Sequence, residues 1–425
     1  MSLQIIINDP PQEHLETVVV ETSPETPQPK KNLKIRWFLG LLAFVVILMA
    51  GLSGGFLYLH YNRIISPLGE ARRILGFGDI VEKPNKIVYG FLPYWNYKYI
   101  DQLDLNQLTH LALFGLSFNE DGTIQRRELD YMEPGWRNLT SEDTVELIQQ
   151  AHNNDVLVTV TLTAFDNDTI ESIISDPNAT ETMVDEVIAY VYEYDLDGIN
   201  IDFEYVGSPN QKVRTQFTNM VRTLSTRVKT LDSDLHVSIS VYADSANNDR
   251  IWELEPLGQT LDHIIIMAYD FYRPTSDTVG PVAPVFGAGQ GWNQDIVSLL
   301  SQHLKINPPS KLVLGVPFYG YEWESLDGSY LSPSTSRGYL ATYDRVKDLL
   351  RTDKTIQRNW NNQALSPWIA YTEDEINYQI YYDDVQSLGF KYDLVNQTNL
   401  GGIGIWALGY EGNSPEIWNL VRDKF

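Results

Sequence analysis

Short apolar runs recur from residue 87 to the C-terminus, and between them apolar residues return every three or four positions. The runs cover Ile87–Leu92, Thr109–Phe114, Val156–Leu162, Leu196–Glu204, His236–Val241, His263–Met267, Lys311–Val316 and Gly402–Trp406. A short continuous apolar run reads as a strand buried on both faces, and a three-to-four repeat reads as an amphipathic helix. Helices are predicted near Thr140–Asn153, with Thr140 or Ser141 as cap, at Thr182–Tyr194, and around Phe217, Val221, Leu224 and Val228. Eight buried strands alternating with helical stretches predict an α/β fold, a closed (β/α)8 TIM barrel over residues 86–425, with its site at the carboxyl ends of the strands. An open doubly wound sheet would carry a glycine-rich phosphate turn. Gly287, Gly289 and Gly291 do not make one, because no Lys-Ser/Thr follows them.

The rhythm breaks once. The stretch from Tyr321 to Leu400 is too long for a simple βα connection. With a helix pattern at Thr342–Arg351 and strand patterns at Trp368–Tyr371 and Tyr378–Tyr382, residues 321–399 predict an α+β insertion between strands seven and eight, beside the barrel mouth.

The N-terminal pattern is different. Residues 1–32 are polar and proline-containing, and predict a disordered cytoplasmic tail. Lys30, Lys31, Lys34 and Arg36 then precede 23 uncharged residues, Trp37–Leu59. At about 1.5 Å per residue these cross a bilayer core of about 30 Å. The run is too long and starts too late for an ordinary signal peptide, so residues 33–60 predict an uncleaved single-pass anchor in the lipid bilayer. The basic cluster on its N-terminal side places the N-terminus in the cytoplasm and the rest of the chain outside. Gly51 and Gly55 form a Gly-x-x-x-Gly pair of the kind that supports a weak homodimer. Residues 61–85 predict a short stalk.

The fourth run carries the chemistry. As a strand, Leu196-Asp197-Gly198-Ile199-Asn200-Ile201-Asp202-Phe203-Glu204 puts Asn200, Asp202 and Glu204 on one face and Ile199, Ile201 and Phe203 on the other. An exposed edge strand does not need three large apolar residues opposite its acids, so the polar face is expected to line a cavity where carboxylates act. Composition narrows the partners. A net charge of -25 argues against nucleic acid, which calls for a basic stripe. The absence of cysteine removes thiolate nucleophiles and cysteine-ligated zinc, and the seven histidines follow no metal-binding spacing, so no cofactor and no metal are expected. Aromatic residues are plentiful, and those on loops suit stacking against sugar faces. Trp95, Trp136, Trp292, Trp323 and Trp368 are candidates, with Trp95 and Trp292 first.

The nonapeptide resembles the Asp-Gly-x-Asp-x-Asp-x-Glu signature of glycoside hydrolase family 18, the chitinase-like barrels. Gly90–Trp95 (with Tyr94 and Trp95 as candidate substrate contacts), Met267-Ala268-Tyr269-Asp270, Gly315–Gly320 and Gly401–Leu408 resemble its first, sixth, seventh and eighth strands in order. Residues Gln379–Asp384 resemble the end of its insertion. The resemblance implies a retaining, substrate-assisted mechanism on β-1,4-linked glycans containing N-acetylglucosamine, either peptidoglycan or chitin-type oligomers. It implies Glu204 as general acid, Asp202 as acceptor of the acetamido N–H, Tyr269 as donor to the acetamido oxygen, Asp270 as an orienting group and Trp406 as the sugar platform.

There are two departures from the pattern. Asn200 stands where the family commonly has a second aspartate, and asparagine can hydrogen-bond Asp202 without trading a proton. The third strand, Thr159–Ala164, lacks the Ser-x-Gly-Gly turn of many chitinases. The asparagine variant is similar to bacterial cell-wall and spore-cortex-lytic N-acetylglucosaminidase members. The alternative function is a silent, chitinase-like carbohydrate-binding protein, a lectin. Retention of Glu204 weighs against it.

Overall fold

A computed structural model describes residues 84–425 apart from 353. Eight parallel strands close into a barrel in chain order. They are β1 (Ile87–Pro93), β2 (His110–Ser117), β3 (Leu157–Ala164), β4 (Gly198–Phe203), β5 (His236–Tyr242), β6 (His263–Met267), β7 (Leu312–Pro317) and β8 (Gly402–Trp406). The barrel closes where Ile87–Gly90 of β1 pairs with Gly402–Ile405 of β8, while Tyr89 of β1 also opens the pairing with His110 of β2. The runs read from the sequence fall within a few residues of these strands, because a strand buried on both faces is apolar almost throughout.

Two layers fill the structure. Outside the strands, Leu111, Val158, Ile199, Ile201, Phe203, Ile239 and Leu314 pack against Leu147, Val184, Val187, Phe217 and Val221 of the surrounding helices. Inside, Tyr89, Phe91, Ala112, Phe114, Ile265 and Val313 form a smaller apolar plug. At the amino-terminal end of the strands the plug gives way to three histidines in ring contact. His236 Nε2 and His263 Nδ1 are joined at 2.8 Å, and the ring of His110 lies 4.6 Å from that of His236. Burial pushes His110 and His263 down to about 4, so all three are neutral under ordinary conditions, with His236 also held low.

The helices start where polar side chains can satisfy their first N–H groups. Ser141 caps Glu142–Asn153. The helix expected at Thr182–Tyr194 is longer, Pro177–Glu193, and a separate helix, Asn167–Ser175, precedes it. Asp176 and Pro177 make the break. The aspartate caps the second helix, and proline, which lacks an N–H, fits its first position.

Between β7 and β8 lies a five-stranded antiparallel sheet in the order Tyr339–Thr342, Tyr319–Ser325, Ile376–Tyr381, Ser366–Glu373, Ile356–Asn361, with one helix at Tyr343–Leu350. Expected over 321–399, this unit occupies 319–381. The helix that follows, Val385–Gln397, belongs to the barrel, since Leu388, Tyr392 and Val395 join its core. The anchor (33–60) and the Gly51/Gly55 pair fall outside the described residues, as does the cytoplasmic tail. Among the described residues no helix is long and apolar enough to cross a membrane.

Where the chain re-enters the barrel, Lys391 Nζ reaches Asp383 Oδ1 at 2.6 Å, and both side chains are buried. Removing one partner of such a pair leaves an uncompensated charge, whereas removing both is far less costly. Lys391→Met is therefore expected to lower unfolding stability by about 3–5 kcal/mol. Adding Asp383→Leu to it should recover most of that loss, and denaturant unfolding of both variants is the check.

Candidate active site

The alternation within β4 separates two jobs. Ile199, Ile201 and Phe203 are fully buried in the layer beneath the helices, with the Phe203 ring 6.2 Å from Phe217. Asn200 and Asp202 project into the barrel, and Glu204 follows at the mouth. The glycine ahead of them is forced. Gly198 has a φ of 153°, and a Cβ there would lie 1.9 Å from the carbonyl oxygen of His236. Asp197 is structural: its Oδ2 accepts the Val158 N–H at 2.7 Å and also contacts His152 Nε2 at 2.9 Å. That ties β4 to β3.

Asp202, Glu204, Tyr269, Asp270 and Trp406 line one cleft of about 1000 Å³, together with Tyr94, Trp95 and Trp292. Asn200 lies below it and is fully buried. Asp202 is almost as deeply enclosed, and among the described residues no group hydrogen-bonds its Oδ1. Burial, reinforced by the neighbouring Glu204 charge, holds Asp202 well above the usual carboxylate range. Glu204 is also raised, chiefly by burial, with Asp270 adding to the effect. A 2.8 Å hydrogen bond donated by Tyr242 and the Arg273 guanidinium oppose it. Each carboxylate disfavours the charge of the other, so the two are hard to ionise together.

Asp270 sits at positive φ just past β6. Its Oδ1 accepts hydrogen bonds from the hydroxyls of Tyr319 (2.5 Å) and Tyr321 (2.9 Å), both on the first strand of the inserted sheet. The insertion thus supplies a wall of the cleft. Tyr269 lies among Asp202, Asp270 and Glu204. Burial and these negative groups push its phenol well above 10, so it remains a neutral donor. Trp406 ends β8 with its ring edge-on to Phe114 (4.7 Å) and Trp95 (6.2 Å). Trp95 is 44% exposed and donates its indole N–H to Tyr410 (3.3 Å).

The other tryptophans divide. Trp292 lines the cleft but is largely buried, with the six-membered part of its ring against Gly287. Trp323 and Trp368, read as sugar platforms, are buried in the insertion, where Trp368 stacks on Tyr381 at 5.4 Å. Trp136 packs on Tyr190 and does not line the cleft. An aromatic residue in an alternating strand carries the same sequence signal whether it faces a core or a groove.

Asn200 is held differently from what its sequence suggested. Its Nδ2 donates to Ser238 Oγ (3.0 Å), and Ser240 Oγ donates to its Oδ1 (3.1 Å). Both ends of the amide are committed to β5 and neither bonds Asp202. Ser238, Ser240 and Tyr242 were missed as site residues, as were Tyr321 and Arg273. For the first three a signal existed, because they occupy alternate positions of one strand.

The family model for glycosyl hydrolases family 18 matches residues 87–411. The chain belongs to this family. It is 25% identical over 273 residues to a Bacillus subtilis protein whose name gives it a provisional assignment as a sporulation-specific glycosylase, covering 63% of this chain and 60% of that one. It is 22% identical over 327 residues to the cortical fragment-lytic enzyme of the same organism, covering 75% of this chain and 68% of that one. The chain thus spans only about three fifths of the first relative's length. The fold is shared with the group IV chitinase of Ostrinia furnacalis in complex with allosamidin, at a TM-score of 0.68 and 21% identity over 79% of this chain and 98% of that one.

Asn200 provides a pH test. Asn200→Asp places a third carboxyl beside Asp202, and like-charge repulsion disfavours ionised Asp202. If ionised Asp202 is the working form, the acidic limb of the pH–rate profile should move to higher pH. An unmoved profile would show that Asn200 has no electrostatic part in the site.

Proposed function

We propose that this family 18 protein is a membrane-anchored glycosidase that cleaves β-1,4 bonds after N-acetylglucosamine by a retaining, substrate-assisted mechanism. One observation carries the reading. A buried carboxylate, Asp202, has an oxygen without a donor among the described residues and lies near a neutral Tyr269 hydroxyl in an open cleft. An unsatisfied buried acceptor costs about 1–3 kcal/mol, and an acetamido N–H would satisfy it.

With the sugar ring over Trp406, Asp202 accepts the acetamido N–H and Tyr269 donates to the acetamido oxygen. That oxygen attacks the anomeric carbon as the glycosidic C–O bond breaks, and Glu204 gives its proton to the departing oxygen. The resulting oxazolinium is stabilised by ionised Asp202. Water then opens it from the opposite face, losing its proton to Glu204, so configuration is retained. Asp270, fixed by Tyr319 and Tyr321, orients Tyr269 or the sugar. Trp95, Tyr94 and Trp292 extend the contact surface.

Peptidoglycan is favoured over chitin-type oligomers as substrate. The reasons are the relative named as a cortical fragment-lytic enzyme, the bacterial form of the motif and the missing third-strand glycine turn. The sugar-binding alternative is weaker, because Glu204 is retained and carries a raised pKa suited to an acid.

The full chain should release products from peptidoglycan or from N-acetylglucosamine oligomers, identified by mass analysis. Glu204→Gln should abolish turnover yet keep sugar binding, and glycans without a 2-acetamido group should be inert. Release of nothing from either substrate would favour the lectin, and equal cleavage of glycans lacking the acetamido group would refute substrate assistance. For the anchor, the full chain should sediment with membranes, and deleting residues 37–59 should release it. Sedimentation that is unchanged by the deletion would refute that assignment.

A further inference from the structure

The inward face of β5 reads Ser238, Ser240, Tyr242, between Val237, Ile239 and Val241 buried on the other face. The parallel register pairs Asn200 with Ser238 and Ile201 with Ile239. Continued two positions at a time, it sets Asp202 beside Ser240 and Glu204 beside Tyr242. The β5 side chains form a row of hydroxyls matched to the amide and carboxyls of β4. The two serines hold Asn200, and the third hydroxyl reaches the acid. Tyr242 donates to Glu204 Oε2 at 2.8 Å, and no protein group among the described residues hydrogen-bonds Oε1.

The tyrosine is itself fixed. Its ring stands edge-on to the buried Trp252, with centroids 5.0 Å apart. The Arg250 guanidinium lies over it at 5.5 Å, and that arginine is clamped by Asp244 through contacts of 2.6 and 3.2 Å. A phenol held on two sides cannot swing away when substrate enters. Burial and the Glu204 charge also push its ionisation far above the working range, so it stays a donor.

We propose that Tyr242 is the positioning residue of the acid: it pins Oε2 of Glu204, leaving Oε1 as the oxygen that protonates the leaving group and later takes a proton from water. This rests on the reading of Glu204 as general acid. A carboxyl whose two oxygens exchange freely presents its proton in several directions, most of them unproductive. With Oε2 held, the single O–H can face only the glycosidic oxygen. The bond persists in both protonation states, since Oε2 accepts whether or not Oε1 carries hydrogen.

The bond also sets the titration. A donor to the carboxylate favours its charged form, so removing the hydroxyl raises the pH at which Glu204 loses its proton. The charged groups around Glu204 are Asp202 on its own strand, Asp270 and Arg273 after β6, and the Asp244–Arg250 pair behind Tyr242. Tyr269 also faces it. A conservative change at Tyr242 leaves all of them in place.

Tyr242→Phe keeps the ring, its contact with Trp252 and the overlying Arg250, and removes only the hydroxyl. In the full chain, kcat/KM on an N-acetylglucosamine oligomer should fall roughly tenfold or more, which is the usual size of a lost hydrogen bond to a charged group. KM should change little. The alkaline limb of the kcat/KM profile should shift to higher pH. A 4-nitrophenyl glycoside, whose leaving group needs little protonation, should lose much less. Equal losses on both substrates with an unmoved alkaline limb would overturn the proposal and leave Tyr242 a packing residue. The limb position does not depend on how much protein is folded, so a partly destabilised variant still gives the answer. Glu204→Gln, measured alongside, separates the two claims: if it still turns over the oligomer, the functional reading fails, whatever Tyr242 does.

Discussion

Asp202 and Glu204 repel each other. They stand two residues apart on the same face of one strand, largely removed from water, where neither carboxylate is easily charged and both together are harder still. The surroundings fit that constraint. The direct hydrogen bonds come from hydroxyls: Tyr242 donates to Glu204, and Tyr319 and Tyr321 donate to the neighbouring Asp270. Arg273 provides positive charge from the rim without ion-pairing directly to either acid. A site built this way keeps a proton available without letting the pair discharge completely.

The same economy runs down the barrel axis. Asn200, neutral and doubly held, separates the acid pair from the strands below. Ser238, also 3.4 Å from the Tyr89 hydroxyl, leads to Thr159 through a 2.5 Å contact with that tyrosine. Farther down, the histidines stay neutral because burial disfavours their charged forms. The interior is therefore polar in many places and charged only at the mouth. Net charge inside a narrow parallel barrel would have to be solvated by backbone that is already engaged in strand pairing.

Much of this architecture was legible in the sequence, for a physical reason that also limits it. Strands buried on both faces are short runs of apolar residues interrupted only by small hydroxyl residues, so all eight were visible, and the acidic face of β4 stood out against them. The insertion blurred at both ends. Tyr319-Gly320-Tyr321 continues the apolar pattern of β7 into the first inserted strand, and the Val385–Gln397 helix looks the same whichever unit it packs against. Lateral relations were harder to read. Ser238, Ser240 and Tyr242 are ordinary strand residues until the register with β4 sets them opposite Asn200 and Glu204. Tyr321 and Arg273 matter only because a sheet some fifty residues along the chain, and a loop after β6, meet at one rim. Trp323 and Trp368 misled for the complementary reason, since composition does not say which side of a sheet meets solvent.

The two ends of the described chain meet on the side of the barrel away from the cleft. The Asn85 N–H, just before β1, donates to the carbonyl oxygen of Phe425 at 2.8 Å, and Lys86 Nζ reaches the Leu400 carbonyl at 2.7 Å. Both lie at the amino-terminal ends of the strands, whereas Glu204 and Trp406 lie at the carboxyl ends. The face that carries the cleft is thus clear of both described ends.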